Sequence, residues 1–343
     1  MSLIPYLHRV CERQHLSCAE ALAAMEIILN GDASPAQIAA FLVGLRMKGE
    51  TTEELVGFAR AMRRMAAVVD TGMPGEPLLD TCGTGGDGSR TFNISTVAAF
   101  VVAGAGVRVA KHGNRSISSR CGSADLLEDL GILVAISPAE SARAIREVGI
   151  GFLYAPAIHT AMRHAQAVRV DLRMRTVFNL LGPLTNPAGA TAQIVGAPSA
   201  PSAELMAGAL AALGLDHGFV VHGSDGMDEV TTTGPTLAFE IRRGTVERRT
   251  LEPAQFGVPT ASPGALAGGD KVRNGVIARE ILDGTPGPQR DIVLVNAAAA
   301  LVAAGRVSDF REGMVTAANS VDCGAARRKV EELARFTASL SGA

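Results

Sequence analysis

Apolar positions in the first seventy residues recur with the period of an amphipathic helix. Ile38, Phe41, Leu42 and Leu45 fall at i, i+3, i+4 and i+7, and Leu55, Phe58, Ala59 and Met62 repeat that spacing. Polar starts mark where such helices open. Ser17-Cys18-Ala19-Glu20 and Thr51-Thr52-Glu53-Glu54 are capping boxes, in which a hydroxyl takes an orphan backbone N–H and the glutamate returns the favour. Ser34-Pro35 sets a cap before a proline at the first helical position. The pattern predicts three short helices joined by tight turns, a small helical domain over residues 1–73 joined by helices near 165–190. Pro74-Gly75-Glu76-Pro77 then reads as a linker.

From residue 76 to 343 the pattern changes to strand, loop and helix in repetition. Leu78-Leu79, Val107–Ala110 and Phe219–His222 read as strands. Ser95–Ala105 reads as a helix, Ser123 as the cap of a helix carrying Leu126, Leu127 and Leu130, and Ser137-Pro138-Ala139-Glu140 as the start of another. This alternation predicts an α/β fold: a central, mostly parallel sheet with helices on both faces. Ligands of such sheets sit beyond the carboxyl ends of the strands. Three polar segments, 83–88, 111–123 and 223–229, fall there and are expected to converge on one crevice.

Composition narrows the class. A net charge of −2 and 4% aromatic residues argue against nucleic-acid and membrane-surface partners. The five cysteines are odd in number and form no Cys-x-x-Cys pair, which argues against a disulfide framework or zinc site and for a reducing cytoplasm. The start of the chain lacks a secretory pattern. The longest apolar run, Val97–Val107, falls short of the ~20 residues a bilayer span takes.

Gly83-Thr84-Gly85-Gly86-Asp87-Gly88 matches the dinucleotide fingerprint literally, but that fingerprint wants an acid about 20 residues on. No Asp or Glu occurs from Gly88 through Ala124. A basic residue holding a 2′-phosphate keeps NADP open; a Walker loop is excluded because Gly88 is followed by Ser89-Arg90. The same acid-free window carries Arg90, Arg108, Lys111, Arg115 and Arg120. Five cations among glycine turns, hydroxyls and a helix start near Ser95 suit anionic phosphate oxygens. Lys111-His112-Gly113-Asn114-Arg115-Ser116-Ile117-Ser118-Ser119 concentrates donors able to wrap a diphosphate and a ribose; Arg115 has the structural alternative of pairing with Asp125 or Glu128. An enzyme-held diphosphate calls for Mg²⁺, for which Asp228 and Glu229 are the natural ligands, with Ser95 able to add a hydroxyl. Asp225 reads as the turn residue before them.

These segments carry a family signature. Asp80–Gly88, Thr91–Thr96, Lys111–Arg115, Arg175–Pro187 and Asp228-Glu229 together resemble the anthranilate phosphoribosyltransferases, and the likeness runs over nearly the whole chain. The resemblance implies transfer of the phosphoribosyl group of 5-phosphoribosyl 1-pyrophosphate (PRPP) to the amine of anthranilate, in tryptophan biosynthesis. It also implies a helical domain hinged to an α/β domain, and a homodimer. By motif, it brings Gly83, Gly86, Asp87, Thr91, Asn93, Ile94, Ser95, Thr96, Lys111, His112, Gly113, Asn114, Arg115, Ser116, Ile117, Ser118, Ser119 and Ser123 to PRPP. Ser95, Asp228 and Glu229 would hold Mg²⁺; Gly83, Asn114 and Arg169 would meet anthranilate, with His112, His159 and Pro183 lining its channel. Arg173 and Arg273-Asn274-Gly275 depart from the family pattern, the latter where Glu-Asn-Ala is expected.

An arylamine is already neutral at physiological pH, so no general base is assigned; His112 is the one candidate. Arg169 is expected to fork onto the anthranilate carboxylate, with an interdomain salt bridge as its alternative. Three rival readings remain at this level: a pyrimidine nucleoside phosphorylase, a nucleic-acid-binding relative, and a transferase with another aromatic acceptor.

Overall fold

The computed structural model describes residues 2–85, 87–116 and 120–340. The N-terminal unit holds four helices, not three: α1 Ile4–Cys11, α2 Cys18–Asn30, α3 Pro35–Lys48 and α4 Thr52–Met65. The hydroxyls of Ser17, Ser34 and Thr51 cap α2, α3 and α4 as expected. Helix α1 escaped the sequence reading because it follows Leu3 without a side-chain cap, and packing holds it instead: Leu3 and Val10 are buried against α3. Inside this unit Lys48 and Glu54 form a buried ion pair at 2.9 Å, and Glu54 also accepts the Leu16 and Thr51 amides.

Helices Arg163–Leu172 and Val177–Leu181 pack onto α2, α3 and α4, and their Ala165, Val168, Val177 and Phe178 share one apolar cluster with Phe41 and Phe58. The helical unit is therefore packed from two stretches of chain, and residues 173–176 and 182–188 run between it and the sheet.

Among the described residues the sheet has seven strands: β1 Leu78–Gly83, β2 Arg108–Gly113, β3 Ile150–Tyr154, β4 Ala192–Gly196, β5 His217–Gly223, β6 Thr236–Arg242 and β7 Thr245–Leu251. Their order is β3-β2-β1-β4-β5-β6-β7. The first five run parallel, and β6 and β7 add an antiparallel hairpin at one edge. Arg243 and Gly244, both with positive φ, make its two-residue turn. Helices Ile94–Gly104 and Pro288–Ala303 cover one face; Ala200–Ala212, with α4 behind it, covers the other.

Two boundaries differ from the sequence reading. Helix Ile94–Gly104 starts one residue before Ser95. Strand β2 runs to Gly113, so Lys111 and His112 belong to the strand and not to the loop after it. Successive strand residues face opposite sides, which separates these two side chains. Among the described residues no helix is long and apolar enough to cross a membrane.

Candidate active site at the carboxyl ends of the strands

Strand order reverses between β1 and β4: the chain leaves β1 outward for β2, while β4 and β5 extend to the other side. Crevices at such switch points are where open α/β sheets bind ligands. Here the strands end on a facing pair of glycines, Gly83 and Gly196. The reason is steric, because the 224–229 loop lies directly on them. A Cβ on Gly196 would stand 1.7 Å from the Asp228 carbonyl oxygen, and one on Gly83 would stand 2.5 Å from Asp228 Oδ2.

That loop is tied on all sides. Asp225 accepts from Met227 N at 3.0 Å and from Thr231 Oγ1 at 2.5 Å, the turn role expected of it. Asp228 Oδ2 accepts the Gly85 amide at 2.9 Å, and the Asp228 amide donates to Asp87 Oδ2 at 3.3 Å. Glu229 Oε1 accepts the Ser95 amide at 3.1 Å, at the N-terminus of helix Ile94–Gly104. Behind Glu229, the buried Asn296 amide accepts Val230 N and donates to Val230 O, both at 2.9 Å. Segments 83–88 and 223–229 thus converge as the sequence led us to expect.

The two acids lie close together and partly out of solvent. Burial first, then the Asp87 charge, lifts the Asp228 carboxyl to about 7; burial first, then Asp228, lifts Glu229 to about 8. Lys111 is buried nearby. Its ammonium donates to the Thr81 carbonyl and reaches Ser95 Oγ at 3.5 Å. Burial lowers its pKa, opposed first by Asp80 and then by Cys82, Glu229 and Asp228.

Two carboxylates that resist joint ionisation, one of them bonded to the Ser95 amide, suit a hard divalent cation. Among the described residues no group of three His, Cys, Asp or Glu side chains closes a metal cage. Two oxygen ligands from the protein suit Mg²⁺, which retains waters and takes substrate oxygens.

The run of five cations needs correction as a phosphate patch. Arg108 lies at the amino end of β2, away from the crevice, and pairs with Glu76. Arg115 turns its guanidinium to Asp125, at 2.9 Å, and to Glu128, the structural alternative named for it. The stretch is acid-free only along the chain; acids at 76, 125 and 128 meet it through space. Ser123 does not cap its helix either. It is the first helical residue, and its hydroxyl accepts Asn114 N at 3.2 Å and donates to Asn114 O at 3.1 Å. The Asp125 carboxylate takes the Gly122 amide in its place. Gly86, Ile117, Ser118 and Ser119 lie outside the described residues.

The other donor-side residues gather around the helix start. Asn93 donates to Cys121 O at 3.1 Å, Thr91 Oγ1 lies 3.2 Å from Ser89 Oγ, and Ile94 and Thr96 are buried. Asn274 donates to Asn93 Oδ1 at 3.0 Å. The departure at Gly275 has a local cause: a Cβ there would meet Asp129 Oδ2 at 1.8 Å, and Asp129 is held by Arg279. Nothing in the structure explains Arg273 in place of glutamate.

On the opposite side of β2, His112 Nδ1–H donates to Gly182 O at 3.2 Å. That contact puts the neutral ring's lone pair on Nε2. The His159 ring lies 5.1 Å away. Burial lowers His112 to about 4, and burial with the neighbouring His112 lowers His159 to about 3. Both Nε2 atoms are buried without a hydrogen-bond partner among the described residues. Pro183 is buried beside Gly182. Arg169 stacks its guanidinium 5.3 Å over the Phe178 ring. Among the described residues it has no carboxylate partner, so the interdomain salt bridge is not formed.

Sequence reasoning gave no role to Asp80, Asn186, Arg175 or Asn296. Arg175 Nη1 donates to Gly85 O at 2.9 Å and so carries the crossing segment to the glycine loop. Its signal was its place inside the Arg175–Pro187 motif. A separate cleft of about 480 Å³ lies between residues 264–268 and the start of helix Pro288–Ala303. Of the residues named above, Arg273 lines it, and none of those assigned to the crevice does.

Two family models fit this architecture. One described as glycosyl transferase family, helical bundle domain matches residues 4–66, and one described as glycosyl transferase family, a/b domain matches residues 75–327. Fold and site together thus define a two-domain glycosyl transferase. The chain is 70% identical to the anthranilate phosphoribosyltransferase of Solibacter usitatus, covering 99% of this chain and 100% of that one. The crystal structure of the Thermus thermophilus anthranilate phosphoribosyltransferase superposes with a TM-score of 0.91 at 42% identity, covering 97% of this chain and 99% of that one. The Saccharomyces cerevisiae enzyme in complex with PRPP and Mg superposes with a TM-score of 0.90 at 30% identity, covering 98% of each chain. The chain belongs to the anthranilate phosphoribosyltransferase family.

Proposed function

We propose that the crevice over Gly83 and Gly196 is where this enzyme moves the phosphoribosyl group of PRPP to the amine of anthranilate, giving N-(5-phosphoribosyl)anthranilate and pyrophosphate for tryptophan biosynthesis. The observation that carries the reading is the meeting of the glycine loop, the Ser95 helix start and the Asp228-Glu229 pair at one strand-order reversal.

Breaking the bond from C1 to pyrophosphate builds negative charge on the leaving group. Gly83, Gly86 and Asp87, the helix start at Asn93–Thr96, and the β2 end and loop from Lys111 to Ser119 with Ser123 are the donor side. The helix start and the Lys111 ammonium supply the positive end and the charge that suit anionic oxygens, although the ammonium is bonded to the Thr81 carbonyl and would have to be shared with them. Asp228, Glu229 and Ser95 would hold Mg²⁺, which when bound supplies charge neutralisation for the pyrophosphate. Arg175 ties the helical unit to the loop that must stay ordered over the donor.

On the acceptor side Arg169 is available to fork onto the anthranilate carboxylate. Gly83, Asn114, His112, His159 and Pro183 border the ring. The neutral amine attacks without prior deprotonation, so no general base is assigned, and His112 is the candidate to take the proton that leaves afterwards. The family likeness suggests a homodimer paired through the helical units, which carry the exposed apolar side chains Ile4, Met47 and Val170. Free thiols throughout suit a cytoplasmic enzyme.

The test is the metal response of Asp228→Ala combined with Glu229→Ala. Turnover should fall by at least ~10²-fold with a changed Mg²⁺ dependence. Unaltered kinetics would remove the metal assignment.

A further inference from the structure

Strand β1 pairs with β4 to its last residue, Gly83↔Gly196, and β2 pairs with β3 to Gly113↔Tyr154. Between β1 and β2 the pairing stops early, at Leu78↔Arg108 and Leu79↔Val109. From Asp80 onward the two strands part, and backbone groups that a parallel ladder would satisfy need other partners.

Side chains supply them. Asp80 Oδ1 accepts the His112 amide at 3.0 Å. Asn186 Nδ2 donates to the Ala110 carbonyl at 2.8 Å. The Lys111 ammonium donates to the Thr81 carbonyl. Asp80 Oδ2 and Asn186 Nδ2 join at 2.8 Å, so the replacements form one connected unit. Asp80 is fully buried and Asn186 is 5% exposed. Burial holds the Asp80 carboxyl above the usual carboxylate range, and Lys111, then Asn186 and the His112 amide, limit that rise. A charge is retained in a sheet interior only with such partners.

The unit touches both halves of the site. Lys111 faces Ser95 and the Asp228-Glu229 pair. Asn186 ends the segment whose Gly182 carbonyl fixes the His112 ring and whose Pro183 carbonyl accepts Gln193 Nε2 at 3.0 Å.

We propose that Asp80 and Asn186 are positioning residues: together they hold β1 and β2 apart and lock the 182–186 segment onto the opened sheet, which sets the acceptor pocket. The inference rests on the acceptor side being where "Proposed function" puts it. Neither residue touches a substrate; each acts through His112 and the Gly182-Pro183 turn.

The experiment compares Asn186→Ala, Asp80→Asn and Arg169→Ala in the full-length enzyme, with steady-state kinetics for each substrate and a melting curve. Asn186→Ala frees the segment and leaves the Asp80 charge and Lys111 in place. It should raise KM for anthranilate by about tenfold while KM for PRPP stays within about twofold. Asp80→Asn sets two amide groups donor to donor and removes the counter-charge of Lys111. It should raise KM for anthranilate and also lower kcat by more than about tenfold. A lower melting temperature with both KM values unchanged in Asn186→Ala would overturn the proposal, because a purely structural role predicts that pattern. Arg169→Ala separates the two levels. If it raises KM for anthranilate and Asn186→Ala does not, the positioning role fails and the acceptor-side reading stands. If neither does, the acceptor-side reading fails and the positioning role with it.

Discussion

Replacing Gly196 by alanine adds one methyl group where the site has no room for it. The new Cβ would stand 1.7 Å from the Asp228 carbonyl oxygen, 2.5 Å from its carbonyl carbon and 2.8 Å from its Cβ. Real Cβ contacts essentially never fall below 3.0 Å, so the Asp228 backbone must retreat by more than 1 Å. The loop cannot turn a side chain aside, because the two nearest obstructing atoms are main chain and the loop is held by Asp225, Asp87 and Asn296. A displacement of that size at reacting groups costs ~10²-fold in rate, or about 2.7 kcal/mol of transition-state stabilisation. Overpacking of this kind also costs roughly 1–3 kcal/mol of stability. Gly83→Ala is the internal comparison. Its Cβ meets chiefly the Asp228 carboxylate, at 2.5 Å, and a side chain can rotate away. We expect about a tenfold loss there, with a raised Mg²⁺ requirement. The assay is initial-rate turnover across Mg²⁺ concentrations, with thermal melts to show that each variant is folded. Gly196→Ala with a wild-type rate and Mg²⁺ dependence would refute the steric argument. So would Gly83→Ala proving the more damaging of the two.

The remaining predictions concern binding, pH and stability. Arg169→Ala should raise KM for anthranilate by about tenfold and leave KM for PRPP nearly unchanged; the opposite split in steady-state kinetics would move Arg169 to the donor side. The Asp228 and Glu229 carboxyls sit above their ordinary values, so the folded chain keeps protons that the unfolded chain has lost. Stability should therefore fall as pH rises from about 4 through about 8, and the rise in melting temperature on adding Mg²⁺ should be larger at about pH 8.5 than at about pH 6. Glu229→Gln should flatten that difference, as measured by thermal melts. Lys48→Met leaves the Glu54 carboxylate buried with only two amide donors, and should lower stability by about 3 kcal/mol in urea unfolding, with both KM values unchanged.

The sequence announced the parts of this protein whose causes are local. Ser17, Ser34 and Thr51 start their helices through bonds to residues three positions on, and such bonds can be read from spacing. The glycine loop and the Asp228-Glu229 pair were legible for the same reason, each being a short polar stretch after an apolar strand. Causes that act through space were not legible. Arg115 belongs to Asp125 and Glu128, and Arg108 to Glu76, so a run of cations overstated the phosphate patch. Helix α1 forms because Leu3 and Val10 are buried, not because of a capping signal. Asp80 reads as an acid that opens a motif. Only the parting of β1 from β2 reveals that its carboxylate serves the His112 amide and the Asn186 side chain.

The central claim is that the crevice over Gly83 and Gly196 joins the ribose of PRPP to the amine of anthranilate. The most direct measurement mixes the purified protein with PRPP, Mg²⁺ and anthranilate, and follows anthranilate fluorescence together with released pyrophosphate. The account predicts that fluorescence falls and pyrophosphate appears in equal amounts, only when all three are present, and that the Asp228→Ala, Glu229→Ala double variant abolishes both. Pyrophosphate release that ignores anthranilate, or no turnover by a folded protein, would contradict it.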